Sequence, residues 1–409
     1  MLDIKYIREN KEAVETMLKN RNKNADLDQI LKLDEERRSL ISAIGEKRAE
    51  QKNLGKEDIE KAKTLKKEVK KLELQLKGAG EPLTVMLNAI PNIIEEDVPV
   101  GADESANQEI RKYGEPTQFN FKVKDHLELG EPLNIIDVER ASKVSGARFS
   151  YLKGGAAQLQ MAIIQYVYEL LVGREKFIPI IPPVIVKREI AEASGHPEAT
   201  GDEAYHLDQD DMFLVGTCEQ SILPMHKDEI LDESELPLRY LGYSTSFRRE
   251  AGSYGKDTKG ILRQHQFDKL EMFVFCKPED SKKEHELLVG LEEELMKGLE
   301  LPHRTMLLST GDMGFPSTKT YDIETWIPSQ NKYRETHSCS NCTDYQTRNL
   351  NIKYKTKDGK KDFVHALNGT AFAIGRILIA ILENNQQEDG SIKVPKVLQK
   401  YCGLEMIKK

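Results

Sequence analysis

Between Leu27 and Ile90 the apolar residues recur at steps of three and four. Ile30, Leu33, Leu40 and Ile44 form one stripe, with Arg37 filling its gap, and Val69, Leu72, Leu76, Leu83 and Met86 form a second. Helical spacing with Lys and Glu on the flanks predicts a coiled coil. Asn53-Leu54-Gly55 lies between the stripes, where a turn is natural, so residues from about 27 to 90 are expected to fold back as an antiparallel hairpin. Gly78-Ala79-Gly80-Glu81-Pro82 weakens the second helix and predicts a kink or a frayed turn. Pro91 ends the pattern. On spacing alone the hairpin reads as a dimerisation element.

The pattern then changes twice. From Pro99 to about Gln118 the chain is rich in Gly, Pro, Asn and acids without periodicity, which predicts a linker over residues 101–124. From about Asp125, apolar runs such as Phe177–Ile181 and Leu270–Phe275 predict buried strands, alternating with helices near Ala157–Val172 and Lys282–Gly298. The expectation is an amino-terminal unit over 1–100 and an α+β domain over 125–409, whose antiparallel sheet carries the chemistry.

Composition narrows the function classes. No apolar run is long enough to cross a bilayer, and the start MLDIKYIREN lacks the apolar core of a secretory signal. Five cysteines are too few and odd in number for a disulfide framework, so a cytoplasmic protein is expected. The net charge of −8 argues against a surface that coats nucleic acid. Yet Glu46 to Lys77 holds eleven basic and seven acidic residues, a local charge of +4 at the hairpin tip. A basic tip on an acidic protein suits capture of a phosphate backbone, and this shifts the hairpin towards RNA binding.

The densest chemistry lies in Phe247-Arg248-Arg249-Glu250, a Gly-containing stretch to Gly260, and Arg263-Gln264-His265-Gln266-Phe267-Asp268-Lys269-Leu270-Glu271. A strand ends in Arg and Glu, a loop follows, and a returning strand brings a second Arg, an aromatic ring and another Glu. An antiparallel pair of this kind can set a guanidinium fork against a phosphate. Phe267 can stack on a purine. A surface hairpin with ordinary ion pairs does not explain so many functional types in one place.

This segment resembles motif 2 of the class II aminoacyl-tRNA synthetases, in particular their seryl group. Phe177-Ile178-Pro179-Ile180-Ile181-Pro182-Pro183 resembles motif 1, and Leu367-Asn368-Gly369-Thr370-Ala371-Phe372-Ala373-Ile374-Gly375-Arg376 resembles motif 3. The tail Glu383-Asn384-Asn385-Gln386-Gln387-Glu388-Asp389-Gly390 with Val394-Pro395 is similar to seryl enzymes, and the likeness spans essentially the whole chain, hairpin included. It implies an ATP-dependent ligase that forms seryl-adenylate and passes the seryl group to the 3′-terminal ribose hydroxyl of tRNA(Ser), with tRNA(Sec) left open as a second acceptor. It also implies a homodimer through motif 1, with the arm gripping tRNA.

Residue by residue, the resemblance implies that Arg248 holds the α-phosphate of ATP and that Arg376 binds the γ-phosphate. It gives Glu250 a contact to the adenine region and lets Phe267 stack on adenine, with Arg249 beside them. It makes Glu335, Thr336, His337 and Ser338 an ATP-contacting segment, with Glu335 and Ser338 as Mg²⁺ ligands and Glu324 a weaker acidic candidate. Thr217, Cys218, Glu219, Glu271 and Thr370 fall to L-serine. Buried polar groups that require the serine hydroxyl would reject alanine. No side chain in this set is an obvious nucleophile or general base, which suits adenylate formation, where positioning and electrostatics do the work.

Cys218, Arg249, Lys176 and Thr370 depart from the residues the family pattern favours, and the arm is short at its tip. Thr370 keeps a hydroxyl and adds a methyl, which bears on pocket volume. Cys339-Ser340-Asn341-Cys342 with His337 is a lone CxxC, and no zinc is expected. His265 reads as framework. Two rivals remain open: an enzyme that loads serine on a carrier protein, and an inactive RNA-binding homologue. The whole arm speaks against the first, and retention of Arg248, Glu271, Glu335 and Arg376 against the second. Threonyl and prolyl enzymes lack such a hairpin.

Overall fold

The computed structural model describes residues 1–55, 58–195, 199–251 and 259–409, in two units that part between Ile93 and Ile94. The first holds helices α1 (Ile4–Glu9), α2 (Lys11–Asn20), α3 (Leu27–Lys52) and α4 (Ile59–Asn88). The side chain of Asp26 caps α3 by accepting from the amide of Gln29 at 2.9 Å. Helices α3 and α4 run antiparallel, as the stripes predict. Ile30 and Ile44 are buried on one, and Leu65, Val69, Ala79, Leu83 and Leu87 on the other. Leu87 is buried more deeply than the predicted Met86.

The weak stretch before Pro82 does not interrupt α4, which continues through it to Asn88. Proline deprives one carbonyl of its helical donor, and the Thr84 hydroxyl donates to the Gly80 carbonyl at 2.9 Å nearby. Asp34, which the apolar pattern passes over, is 1% exposed and bridges Arg8 at 2.6 Å and Arg38 at 3.0 Å.

The basic tip sorts into two classes. Lys47 pairs with Glu68 at 2.5 Å, Arg48 with Glu73 at 2.7 Å and Lys61 with Glu50 at 3.0 Å, all between α3 and α4. Lys63 and Lys77 pair within α4. Lys66, Lys67, Lys70 and Lys71 are exposed, make no ion pair among the described residues, and lie opposite the seam formed by Leu65, Val69 and Leu72. Lys56 and Glu57 lie outside the described residues.

The second unit is built on an eight-stranded sheet: β1 (Gln108–Tyr113), β2 (Ile178–Ile180), β3 (Leu238–Phe247), β4 (Gln266–Cys276), β5 (His303–Leu307), β6 (Lys319–Ile327), β7 (Lys332–Asn341) and β8 (His365–Ala373). Its order is β1-β5-β6-β7-β8-β4-β3-β2, antiparallel except where β2 lies parallel to β3. Leu270 and every residue from Met272 to Cys276 are fully buried, which fits the expected core strand. Helices α5 (His126–Gly130), α6 (Gly154–Tyr168), α7 (Ser281–Gly298) and α8 (Ile374–Asn384) share one apolar cluster with the sheet.

Two expectations give way. Phe177 is buried, but β2 is a sheet edge on which Ile178 is 47% exposed, and Ile181 beyond it 79%. Pro179 and Pro182 lack an N–H for a ladder on both sides, which confines this run to an edge. The linker assigned to 101–124 contains β1, paired with β5 over Gln108–Tyr113, and Thr117 donates to Asn384 Oδ1 at 2.7 Å. All six β1 residues are exposed, so no inward-outward alternation marks the strand in the sequence. The unit boundary falls at Ile93 instead of near residue 100. Among the described residues no helix is long and apolar enough to cross a membrane.

Candidate active site

One cleft of about 1220 Å³ opens over β3, β4, β8, β7 and β6. It exceeds the ~300–1,000 Å³ common for a single small-molecule pocket, so it has room for more than one substrate.

At one end of the cleft, Glu271 on β4 is 1% exposed and meets Lys269 Nζ at 2.5 Å. Thr370 Oγ1 on β8 is 3.5 Å from Glu271 Oε2, and Lys269 Nζ lies 3.4 Å from Thr217 Oγ1. Burial pushes the Glu271 carboxyl above its ordinary range, more than Lys269 draws it down. Glu219, 4% exposed, accepts from Gln346 Nε2 at 2.8 Å and also lines the cleft. Cys218 faces away from it. Its sulfur is fully buried in an apolar cluster with Ile222 and Phe273, so close to Gly242 that a Cβ there would sit 2.8 Å from it.

Arg248 leaves the end of β3 exposed, anchored by Nε to the Gly216 carbonyl at 3.2 Å. Its guanidinium is 5.4 Å from the centre of the Phe267 ring, a cation–π pair that occupies the aromatic face. Glu250 has φ +52° and receives Arg263 Nη1 at 3.1 Å, so the two ends of the hairpin loop are tied together. Arg249 does not enter the cleft. Its amide donates to the Glu203 carbonyl and its guanidinium lies over Tyr205. Residues 252–258, within the Gly-containing loop, lie outside the described residues.

Arg376, in the first turn of α8, bonds Glu335 twice at 3.0 Å, once at the carboxylate and once at the main-chain carbonyl. Desolvation opposes ionisation of Glu335, but Arg376 and Arg248 together hold its carboxyl below the ordinary range. Ser338 faces the same cleft three residues on. A strand would normally turn residues three apart to opposite faces. Here Ile323 pairs with His337 but Glu324 with Glu335, which leaves Thr336 as an extra residue in a β-bulge. The bulge brings Glu335 and Ser338 to one side and sends Thr336 and His337 into the core. Thr336 bonds Thr325 at 2.7 Å, and His337 packs on Phe372.

Lys269 and Asp322 also belong to the cleft, although the motif resemblance gives neither a role. Each is two residues before an acid already singled out, Glu271 and Glu324, so strand alternation places them on the same face. Burial, then Glu335, push the Asp322 carboxyl well above its ordinary range, with Ser338 opposing. Its Oδ1 is buried with no hydrogen-bond partner among the described residues. Glu335, Ser338 and this free oxygen are hard donors of the kind Mg²⁺ takes together with phosphates and water. Among the described residues no three His, Cys, Asp or Glu side chains form a metal cluster. Cys339 and Cys342 are both fully buried.

Comparison with known proteins identifies the family. Residues 205–385 match the family described as tRNA synthetase class II core domain (G, H, P, S and T), and residues 1–94 match the Seryl-tRNA synthetase N-terminal domain. Serine--tRNA ligase of Caldicellulosiruptor saccharolyticus is 44% identical, with 100% of both chains covered. That of Nitrosopumilus maritimus is 42% identical over 98% of this chain and 99% of its own. Seryl-tRNA synthetase of Pyrococcus horikoshii, solved with ATP, superposes with a TM-score of 0.92 at 40% identity, covering 100% and 99% of the two chains. A prolyl-tRNA synthetase of Giardia lamblia, 13% identical with a TM-score of 0.57 over 66% of this chain and 53% of its own, shares the fold alone. Full-length identity above 40% and the arm-bearing first unit exclude the threonyl and prolyl branches, so the chain belongs to the seryl-tRNA synthetases and is an ATP-dependent serine--tRNA ligase.

Proposed function

We propose that the cleft performs both steps with two subsites and no protein nucleophile. The observation that carries this is the Glu271–Lys269–Thr370 group on β4 and β8 at one end and, at the other, Glu335 on β7 paired with Arg376 in the first turn of α8. In the serine subsite, Glu271 and Thr370 receive the substrate hydroxyl, and Glu219 with Thr217 faces the ammonium. Alanine would leave Glu271 and Thr370 without the hydroxyl partner that the desolvated pocket is shaped for, which is the expensive error. Cys218 supports this wall from behind and touches no substrate.

In the nucleotide subsite, Arg248 holds the α-phosphate and Arg376 the γ-phosphate, and Phe267 offers its face to adenine once Arg248 turns towards phosphate. Arg263 keeps Glu250 oriented. Glu335 and Ser338, with Asp322 beside them, would hold Mg²⁺, which neutralises phosphate charge when bound. The serine carboxylate attacks the α-phosphorus and pyrophosphate leaves; the guanidinium of Arg248 stabilises the charge that develops. The terminal ribose hydroxyl of tRNA(Ser) then attacks the adenylate carbonyl, and the exposed α4 lysines grip the RNA backbone. The half-exposed edge strand β2, with Ile178 and Ile181, supports a homodimer across that edge. Five free cysteines support a cytoplasmic setting.

The test is serine-dependent pyrophosphate exchange followed by tRNA charging. Arg248→Ala and Arg376→Ala are expected to abolish exchange. Removing residues 24–90 is expected to spare exchange and abolish charging. Retained exchange in both arginine variants would refute the subsite assignment, and retained charging without the arm would refute its role.

A further inference from the structure

Outside the residues assigned above, one buried polar chain links the two halves of the nucleotide subsite. His126, on α5, is 6% exposed, and Glu383, near the end of α8, is fully buried. The Ile261 amide donates to His126 Nε2 at 3.2 Å. Nε2 therefore accepts and the ring proton lies on Nδ1, which donates to Glu383 Oε1 at 3.2 Å. The same carboxylate accepts from the His126 amide at 3.1 Å, and its other oxygen from the Ser329 amide at 3.1 Å. One end of this chain is thus α8, whose first turn carries Arg376. The other is the returning limb of the hairpin loop, two residues before Arg263.

Two glycines show how close the fit is. Gly260 has φ +76°, and a Cβ there would lie 1.9 Å from His126 Nε2. A Cβ on Gly375 would lie 2.9 Å from the Ile261 carbonyl oxygen. Ile261 is therefore held at its N–H by His126 while its carbonyl abuts α8 beside Arg376. Neighbouring contacts repeat the docking: Lys259 reaches Asp125 at 2.7 Å, and Gln264 reaches Ser150 at 2.6 Å.

We infer that His126 is a positioning residue for adenylate formation, clamping the returning limb to α8 so that Arg263 and Arg376 keep a fixed spacing around ATP. This rests on the reading of Arg376 as a nucleotide contact. The clamp touches no serine-side group, so its loss should separate the two substrates. An error of about 1 Å in a positioning element can cost roughly a hundredfold in rate. In pyrophosphate exchange, His126→Leu is expected to raise the KM for ATP and lower kcat, by about tenfold or more combined, with the KM for serine unchanged. His126→Gln, which keeps an acceptor near Nε2, is expected to recover most of that loss.

Gly260→Ala should reproduce the leucine phenotype without altering His126, and it carries the test if His126→Leu does not fold. Arg376→Ala run alongside separates the two ideas. If it keeps full exchange, the subsite reading fails. If it loses exchange while folded His126→Leu keeps wild-type KM for ATP, only the clamp fails. Equal impairment of the Leu and Gln variants, matched by equal loss of melting temperature, would reduce His126 to packing and overturn the inference.

Discussion

Lys269→Met tests how the serine subsite is held. Lys269 Nζ is 2.5 Å from Glu271 Oε2, and the two side chains are only 12% and 2% exposed. Methionine keeps the apolar stem and removes the ammonium. Glu271 is then left with burial and the nearby Glu219, both of which raise its pKa, against the smaller opposing pull of Arg248. Breaking a buried pair commonly costs about 3–5 kcal/mol because one charge is left alone. Here the carboxyl can escape by taking a proton, and from its ordinary 4.5 to pH 7 that costs about 3.4 kcal/mol. Burial already holds it above 4.5, so part of that cost is absent and the expected loss at pH 7 is about 2–3 kcal/mol.

The sign with pH follows. A carboxyl whose folded pKa is raised binds more protons folded than unfolded, so stability is lost as pH rises through that window, by up to about 1.4 kcal/mol per unit. The variant's deficit should therefore shrink towards pH 5.5 and widen towards pH 8.5 in urea titrations. Serine-dependent exchange should weaken in parallel, and discrimination against alanine should fall by roughly tenfold or more, as a charged hydrogen bond becomes a neutral one. An unchanged denaturation midpoint at pH 8 with an unchanged KM for serine would refute this. It would mean that Glu271 is neutral in the wild-type subsite and owes nothing to Lys269.

Glu292, on α7, is fully buried with neither carboxyl oxygen partnered among the described residues, and burial, then Glu271, push its pKa well up. Glu292→Met should raise the unfolding free energy by about 1–3 kcal/mol, most at alkaline pH, and a uniform or negative shift across pH would contradict this. His285 is pushed down to about 4 and His337 to about 3, chiefly by burial. Both are neutral when folded and charge on unfolding, so stability should fall as pH drops below about 6.5, at up to about 2.7 kcal/mol per unit between 6 and 4.5. Replacing both with Gln should flatten that limb of the denaturation curve. On the arm, changing Lys66, Lys67, Lys70 and Lys71 together to Gln should leave exchange intact and cut charging. It should also make the salt dependence of tRNA binding shallower by about 0.7–0.9 for each phosphate the arm no longer neutralises. An unchanged salt slope would assign the grip elsewhere.

Legibility in the sequence followed physical periodicity. The α3–α4 hairpin was readable because a seam of Ile30, Ile44, Val69 and Leu83 needs helical spacing, and the core strand was readable because Met272 to Cys276 is apolar on both faces. Strand β1 was not, since a fully exposed edge strand has no buried face to impose alternation. The charge of the segment reveals the +4 tip but not that Lys47, Arg48 and Lys61 spend their charge on α3–α4 pairs. Cys218, Thr336 and His337 group with their neighbours by adjacency, whereas side-chain direction separates them: Cys218 turns to Gly242, Thr336 to Thr325 and His337 to Phe372.

Adjacency fails most where the strands are irregular, and the irregularities lie at the chemistry. In the β4–β8 pair, Leu270 opposes Phe372 but Glu271 opposes Thr370, so Ala371 is an extra residue on β8. With regular pairing Glu271 would face Ala371, and the Thr370 hydroxyl would turn to the other side of the sheet. The bulge is what lets Thr370 Oγ1 come within 3.5 Å of Glu271. The bulge at Thr336 does the same for Glu335 and Ser338 on β7. Each proposed subsite therefore owes part of its geometry to a single inserted residue that does not line the cleft, a device that re-aims side chains next to active sites. A motif written as consecutive letters contains those inserted residues, but only the register of the paired strands tells them apart from the ones that face the ligand.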